Sequence, residues 1–300
     1  MCDEAKITRW AKESLNRRQF GVKAGLLGGG MAVAACAPMA GPMDDTTGEG
    51  VSLPAMSESS VTFDTADGTM DAFWVVPASG PSPAVIMWPD IAGLRESKRN
   101  MARRLAGRGY AVLVLNPYYR DRAGEIWTDF ADFAGNDGWP IAREMRQKHT
   151  PMAIMRDGKA AVAWIDAQDG VDTSKGIGVQ GYCMGGPLTM WTAAAVPGRV
   201  KAAASFHGGG LVREDNLMSP HQLFDTMDAQ LLIAIAQDDD AEKPQEKTVL
   251  AKTAKAAGRT AQIEVYAGDH GWTVPDSPVY AEAAAEKAWA DLLRLYGAAL

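Results

Sequence analysis

The 300-residue sequence is 47% hydrophobic and 22% charged, the balance of a folded globular chain, which excludes a disordered, collagen-like or disulfide-dense protein. Its 37 acidic against 30 basic side chains give a net charge of −7 with no basic run, so nucleic acid is not an expected partner. Cys2, Cys36 and Cys183 are too few for a disulfide framework, and any cysteine that matters is expected to act alone.

At the N-terminus, Asn16-Arg17-Arg18-Gln19-Phe20 and Lys23 precede an uncharged, glycine-rich stretch over 24–35. Its roughly 12 residues are too few to span a bilayer and suit a signal-peptide core. The paired arginines read as a twin-arginine export signal. Val33-Ala34-Ala35-Cys36 is similar to a bacterial lipobox, and the Pro, Gly, Met and Thr that follow suit a flexible tether. The expected organisation is therefore a signal peptide over 1–35, a tether over 36–59 and one domain over 60–300. The destination is the periplasm or cell envelope, with any membrane contact made only through a lipid on Cys36. Cleavage near Ala40 would instead release a soluble protein.

From residue 60 onward strands and helices alternate. Short strands are predicted over 61–63 and 72–76, turning at Asp67-Gly68. The apolar runs 84–88 and 111–115 read as buried strands, with a helix over 97–108 between them that Gly109 stops. Residues 118–150 are aromatic, charged and irregular. Further strands are predicted over 177–180, 200–206, 231–236 and 261–266, and helices over 151–167, 184–195, 247–257 and 279–295. This alternation predicts a doubly wound, mostly parallel α/β sheet flanked by helices, with its ligand site beyond the carboxyl ends of the strands.

Three loops at that edge carry chemistry. Gly181-Tyr182-Cys183-Met184-Gly185-Gly186 follows a strand and opens a helix, the arrangement of a nucleophile elbow with cysteine as the nucleophile. The helix N-terminus favours a thiolate there. A nucleophile needs a base and an orienting acid. His270, in Gly268-Asp269-His270-Gly271, follows one strand, and Asp238-Asp239-Asp240 follows another. Counting from the strand end favours Asp239 as the acid, whereas counting back from Pro244 favours Asp240. His207 ends a strand at the same edge and is the second candidate base. His149 and His221 read as solvated or capping. The third loop, Pro89-Asp90-Ile91-Ala92-Gly93-Leu94, is placed to supply oxyanion donors. Three adjacent aspartates with no second carboxylate motif make a poor calcium site, so no metal is expected.

On Gly-Tyr-Cys-Met-Gly-Gly at 181–186, Asp90-Ile91 with Gly93, and Gly268-Asp269-His270, the chain over roughly 60–298 resembles the dienelactone hydrolase family of α/β-hydrolases. The resemblance implies hydrolysis of a small-molecule ester or lactone by a Cys183–His270–Asp239 triad without metal or cofactor. It further implies an oxyanion hole from the Ile91 and Met184 N–H groups, and Asp90 where the family often has a glutamate touching the thiol. Val274 stands where the type enzyme has a substrate-binding arginine, leaving Arg120, Arg143 and Arg146 as replacements. The competing expectations are an envelope thiol-dependent acyltransferase and a non-catalytic binding protein on a hydrolase scaffold.

The export reading is checked by mass spectrometry of the mature protein. Its N-terminus is expected at a lipidated Cys36, and replacing Arg17 and Arg18 by lysine is expected to leave uncleaved precursor in the cytoplasm.

Overall fold

The computed structural model describes residues 8–12 and 55–300. Cys2, the paired arginines, Cys36 and the tether up to residue 54 lie outside the described residues. The apolar runs form the centre of one eight-stranded sheet. In chain order its strands are β1 (Met56–Thr65), β2 (Gly68–Pro77), β3 (Ala84–Trp88), β4 (Ala111–Leu115), β5 (Ile177–Tyr182), β6 (Val200–Phe206), β7 (Gln230–Ala236) and β8 (Ala261–Tyr266). Across the sheet they lie β1-β2-β4-β3-β5-β6-β7-β8. Pairing is parallel from β4 through β3 to β8 and antiparallel where β1, β2 and β4 meet.

Side chains alternate between two buried faces. Ala84, Ile86 and Trp88 of β3 pack with α4 (Pro151–Asp166), α5 (Gly185–Ala195) and α7 (Glu246–Ala256) on one face. Val85 and Met87 pack with α1 (Glu96–Ala106) and α8 (Glu282–Ala299) on the other. Covered on both faces, these strands need apolar side chains at every position, which is why they read as continuous runs. Trp88 ties β3 to α5 through its indole N–H, which donates to Thr192 Oγ1 at 3.0 Å. The chain leaves β3 for β4 on one side and returns over it to β5 on the other. The loops after β3 and β5 therefore sit at the point where winding reverses, where ligands bind in open α/β sheets.

Three elements differ from the sequence reading. The first hairpin is longer than 61–63 and 72–76: pairing runs from Met56↔Pro77 to Thr65↔Gly68. Its outer strand is polar and exposed, and backbone pairing at a sheet edge asks no apolar pattern of it. The segment expected to be irregular holds α2 (Phe130–Gly135), α3 (Gly138–Met145) and a 3-10 turn (Arg146–Lys148). These helices are too short to show a period, and α2 starts where the Asp129 side chain accepts from the Asp132 N–H. The three aspartates after β7 lie in the short helix α6 (Gln237–Glu242) rather than an open loop.

The turn between β5 and α5 leaves no room at its glycines. A Cβ on Gly181 would lie 2.1 Å from the Gly185 carbonyl oxygen, whereas one on Gly198 meets nothing within 4 Å. Gly181→Ala is therefore expected to lower unfolding free energy by at least about 2 kcal/mol, the scale of overpacking, and Gly198→Ala to leave it unchanged. Denaturant unfolding of the two variants checks this.

Candidate active site

Cys183 lies two residues before α5 begins, and its φ of +50° is in the left-handed region that side chains rarely adopt. The strain is held from both sides. The Cys183 N–H donates to the Phe206 carbonyl, and the Cys183 carbonyl accepts from the Gly186 N–H. Gly185 lies so close to the end of β3 that a Cβ would be 2.5 Å from the Trp88 carbonyl oxygen. The cysteine side chain is thereby aimed off the sheet edge into a cavity of about 390 Å3 lined by Ile91, Trp139, Met184, His207, Asp239 and His270 among others.

The Cys183 thiol hydrogen-bonds the His270 side chain. Burial pushes the thiol's pKa up, but the charge and hydrogen bond of His270 outweigh it and hold the thiol below its ordinary value. On its other side, His270 Nδ1 lies 2.6 Å from Asp239 Oδ2. Burial raises the Asp239 pKa, and the hydrogen bond and charge of His270 bring it below the usual carboxylate range. The three adjacent aspartates divide by direction. Asp238 accepts from the backbone N–H of His270 at 2.8 Å, Asp239 reaches its ring, and Asp240 pairs with Lys247 at 2.7 Å. Gln237 adds a side-chain bond to Asp269, and its N–H donates to the Gly268 carbonyl, so α6 holds the histidine loop at several points.

His207 stands beside this pair, its ring centroid 5.0 Å from that of His270. Its Nε2 lies 2.9 Å from Thr273 Oγ1, and burial and the nearby His270 keep the ring well below the usual histidine pKa. It faces the cavity as a neutral imidazole, while His270 holds the position between thiol and carboxylate. His149 and His221 are engaged by local groups and are not solvated. His149 stacks on Tyr118 and bonds the Pro117 carbonyl, with burial lowering its pKa to about 4, and His221 is buried against Ser219 and the Leu211 carbonyl.

Ile91 and Met184 line the cavity beside Cys183. Their N–H groups donate to no acceptor among the described residues, whereas the next two, on Ala92 and Gly93, are taken by the side chain and carbonyl of Asp90. The loop is pinned by Tyr118, whose hydroxyl donates to the Ile91 carbonyl at 2.7 Å. Asp90 shares a small recess with Cys183 and His270, yet both its oxygens are engaged by Arg95, Lys98 and the Ala92 N–H. Over the site lies an aromatic cap in which Trp127, Phe130, Phe133 and Trp139 pack ring to ring with Tyr118.

Of the three arginines considered for the substrate, Arg120 is taken up by Asp67 and Asp157, and Arg143 and Arg146 line the cavity. Arg95, Lys98, Tyr118 and Asp276 were not legible as site residues. Lys98 is one of the positive charges at helical spacing over 97–108, and Arg95, Tyr118 and Asp276 belong to no short motif. Among the described residues no group of three or more His, Cys, Asp or Glu side chains is arranged to hold a metal, and no helix is long and apolar enough to cross a membrane.

Because His270 lowers the thiol pKa, alkylation of Cys183 is expected to rise with pH through an inflection below the ordinary thiol value. Asp239 favours the charged imidazole, so Asp239→Asn should weaken the thiolate and move that inflection upward, and His270→Gln should move it further. Iodoacetamide alkylation rates across pH 5–10 read all three, the range being about that of the groups concerned.

A family profile described as "Dienelactone hydrolase family" matches residues 70–300. A Methylorubrum extorquens protein named "Putative carboxymethylenebutenolidase" is 28% identical over 241 residues, covering 78% of this chain and 79% of its own. A Salmonella typhi protein of the same name is 28% identical over 270 residues, covering 87% of this chain and 94% of its own. The crystal structure of a Klebsiella pneumoniae protein called "Putative Dienelactone Hydrolase" superposes with a TM-score of 0.69 at 26% identity, over 81% of this chain and 99% of that one. The doubly wound sheet is thus an α/β-hydrolase fold, and the chain belongs to the dienelactone hydrolase family.

Proposed function

We propose that the protein hydrolyses small esters or lactones with Cys183 as nucleophile. The observation that carries this reading is the continuous link from the Cys183 thiol through the His270 ring to the Asp239 carboxylate, with the cysteine held on a strained turn facing the cavity. The names of the relatives support the substrate class.

In this mechanism the Cys183 thiolate attacks the carbonyl carbon, and the carbonyl π pair moves to oxygen. The Ile91 and Met184 N–H groups, free of other acceptors among the described residues, stabilise that oxyanion. On collapse the C–O bond to the alcohol breaks, and the imidazolium of His270 gives its proton to the departing oxygen. The neutral ring then takes a proton from water as it attacks the thioester, and returns it to the sulfur when the acid leaves. Asp239 keeps the ring oriented and stabilises its charged form. The cavity's size suits a small substrate, and Arg143 and Arg146 place positive charge on its wall. The export motif and Cys36 support an envelope location for this activity, tethered or released.

Cys183→Ala is expected to abolish turnover of a simple aryl ester while unfolding at the same denaturant concentration as wild type. Cys183→Ser is expected to be poor as well, since this site lowers a thiol pKa and serine is far less acidic. Turnover of Cys183→Ala at the wild-type rate would overturn the mechanism. Acyl transfer to an added amine or thiol in preference to water would favour a transferase, and binding without turnover a non-catalytic protein.

A further inference from the structure

Four charged side chains are packed beneath the aromatic cap. Arg95 and Lys98 are completely buried, and Asp90 and Asp276 are largely so. The Arg95 guanidinium uses all five of its N–H groups: two go to the two oxygens of Asp90 at 2.7 and 3.0 Å, two to the two oxygens of Asp276 at 2.7 and 2.8 Å, and one to the Gly93 carbonyl at 3.2 Å. Lys98 completes the set at 2.8 Å from Asp90, its ammonium 4.6 Å from the centre of the Tyr182 ring. Two cations and two carboxylates cancel.

The partners come from three separate parts of the chain. Asp90 and Gly93 belong to the loop after β3 and flank Ile91. Asp276 lies six residues beyond His270 on the loop that follows β8. The same Asp276 oxygen that binds Arg95 Nε also accepts from the Phe130 N–H at 2.9 Å, the first residue of α2 in the cap. One guanidinium and one carboxylate thus join the loop carrying a candidate oxyanion donor, the loop carrying His270 and the start of the cap. A buried pair of this kind adds little net stability over apolar packing of equal size, because desolvation offsets its attraction, but its directional bonds fix geometry.

We propose that Arg95 and Asp276 are positioning residues for the reaction at Cys183, holding the Ile91 N–H, the His270 loop and the aromatic cap in one arrangement. This rests on the cysteine-hydrolase reading above. Neither residue touches the thiol or the His270 ring; they act through the loops they join.

The deciding variant is Arg95→Met with Asp276→Leu. It removes the fork and leaves Asp90 paired with Lys98, so the buried charge remains balanced and folding is expected to survive. In the full-length protein, kcat for an aryl ester is expected to fall at least about fivefold, by more than any change in KM, since small misplacements of a reacting geometry cost rate. Protease cleavage within residues 120–148 is expected to quicken as Phe130 loses its acceptor. Asp276→Asn, which keeps an oxygen for Phe130 but cannot accept twice from Arg95, should lose less in kcat and keep its cap protected. It serves as the test if the double variant fails to fold, and an unchanged kcat in it would then overturn the proposal. A folded double variant with less than a fivefold fall in kcat, or a loss carried by KM alone, overturns it too. If the wild-type protein turns over no ester, the hydrolase reading falls. The positioning role at Cys183 falls with it, whatever the rate of cap cleavage in the double variant.

Discussion

The site depends on a turn that has no space for side chains at its flanks. Between β5 and α5 the backbone reverses so tightly that Gly181 rests on the Gly185 carbonyl, while Gly185 rests on the end of β3. The three residues between them cannot relax. Cys183 is held at positive φ, its N–H bonded to the end of β6, and its sulfur projects beyond the sheet where the neighbouring loops converge. Loss of the close approach between β3 and β5 would leave no place for the turn. The apolar runs that build those central strands are therefore as necessary to the placement of Cys183 as the glycines beside it.

Around that fixed point the charged groups are arranged so that each has a defined partner. The Cys183 thiolate is opposed by burial and favoured by His270, and the histidine effect prevails. The second buried centre, around Arg95, is of a different kind: its two cations and two carboxylates pair with one another and with nearby backbone groups, so both Asp90 oxygens are engaged. One centre places a thiol, an imidazole and a carboxylate in a row, and the other is an ion-paired cluster that joins three segments of the chain. They meet in the short loop after β3, where Asp90 belongs to the second and Ile91 lines the cavity of the first.

The three successive aspartates show how a helical turn divides like residues among unlike tasks. Their side chains leave α6 about 100° apart, so one meets the His270 backbone, the next its ring and the third a lysine on α7. Read as an open loop they are interchangeable, and counting from either end selects a different residue. Read as a helix only one can face the imidazole.

Sequence alone determined which segments form the central strands and that they are buried, because a strand covered on both faces must be apolar throughout, and that pattern is local. It placed Cys183 on a strand-to-helix turn between glycines and His270 just past a strand at the same edge, because both positions follow from where local strand patterns end. Tertiary structure alone decided which aspartate faces the histidine, and that Arg120 belongs to Asp67 and Asp157 rather than to the cavity. It also decided that the aromatic segment after β4 forms a helical cap, and that Arg95, Lys98 and Asp276 meet in the interior. These outcomes depend on contacts between residues far apart in the chain: Arg95 and Asp276 are separated by 181 positions. A charge looks the same in the sequence whether it faces water or a partner, and only the packing of distant loops distinguishes the two.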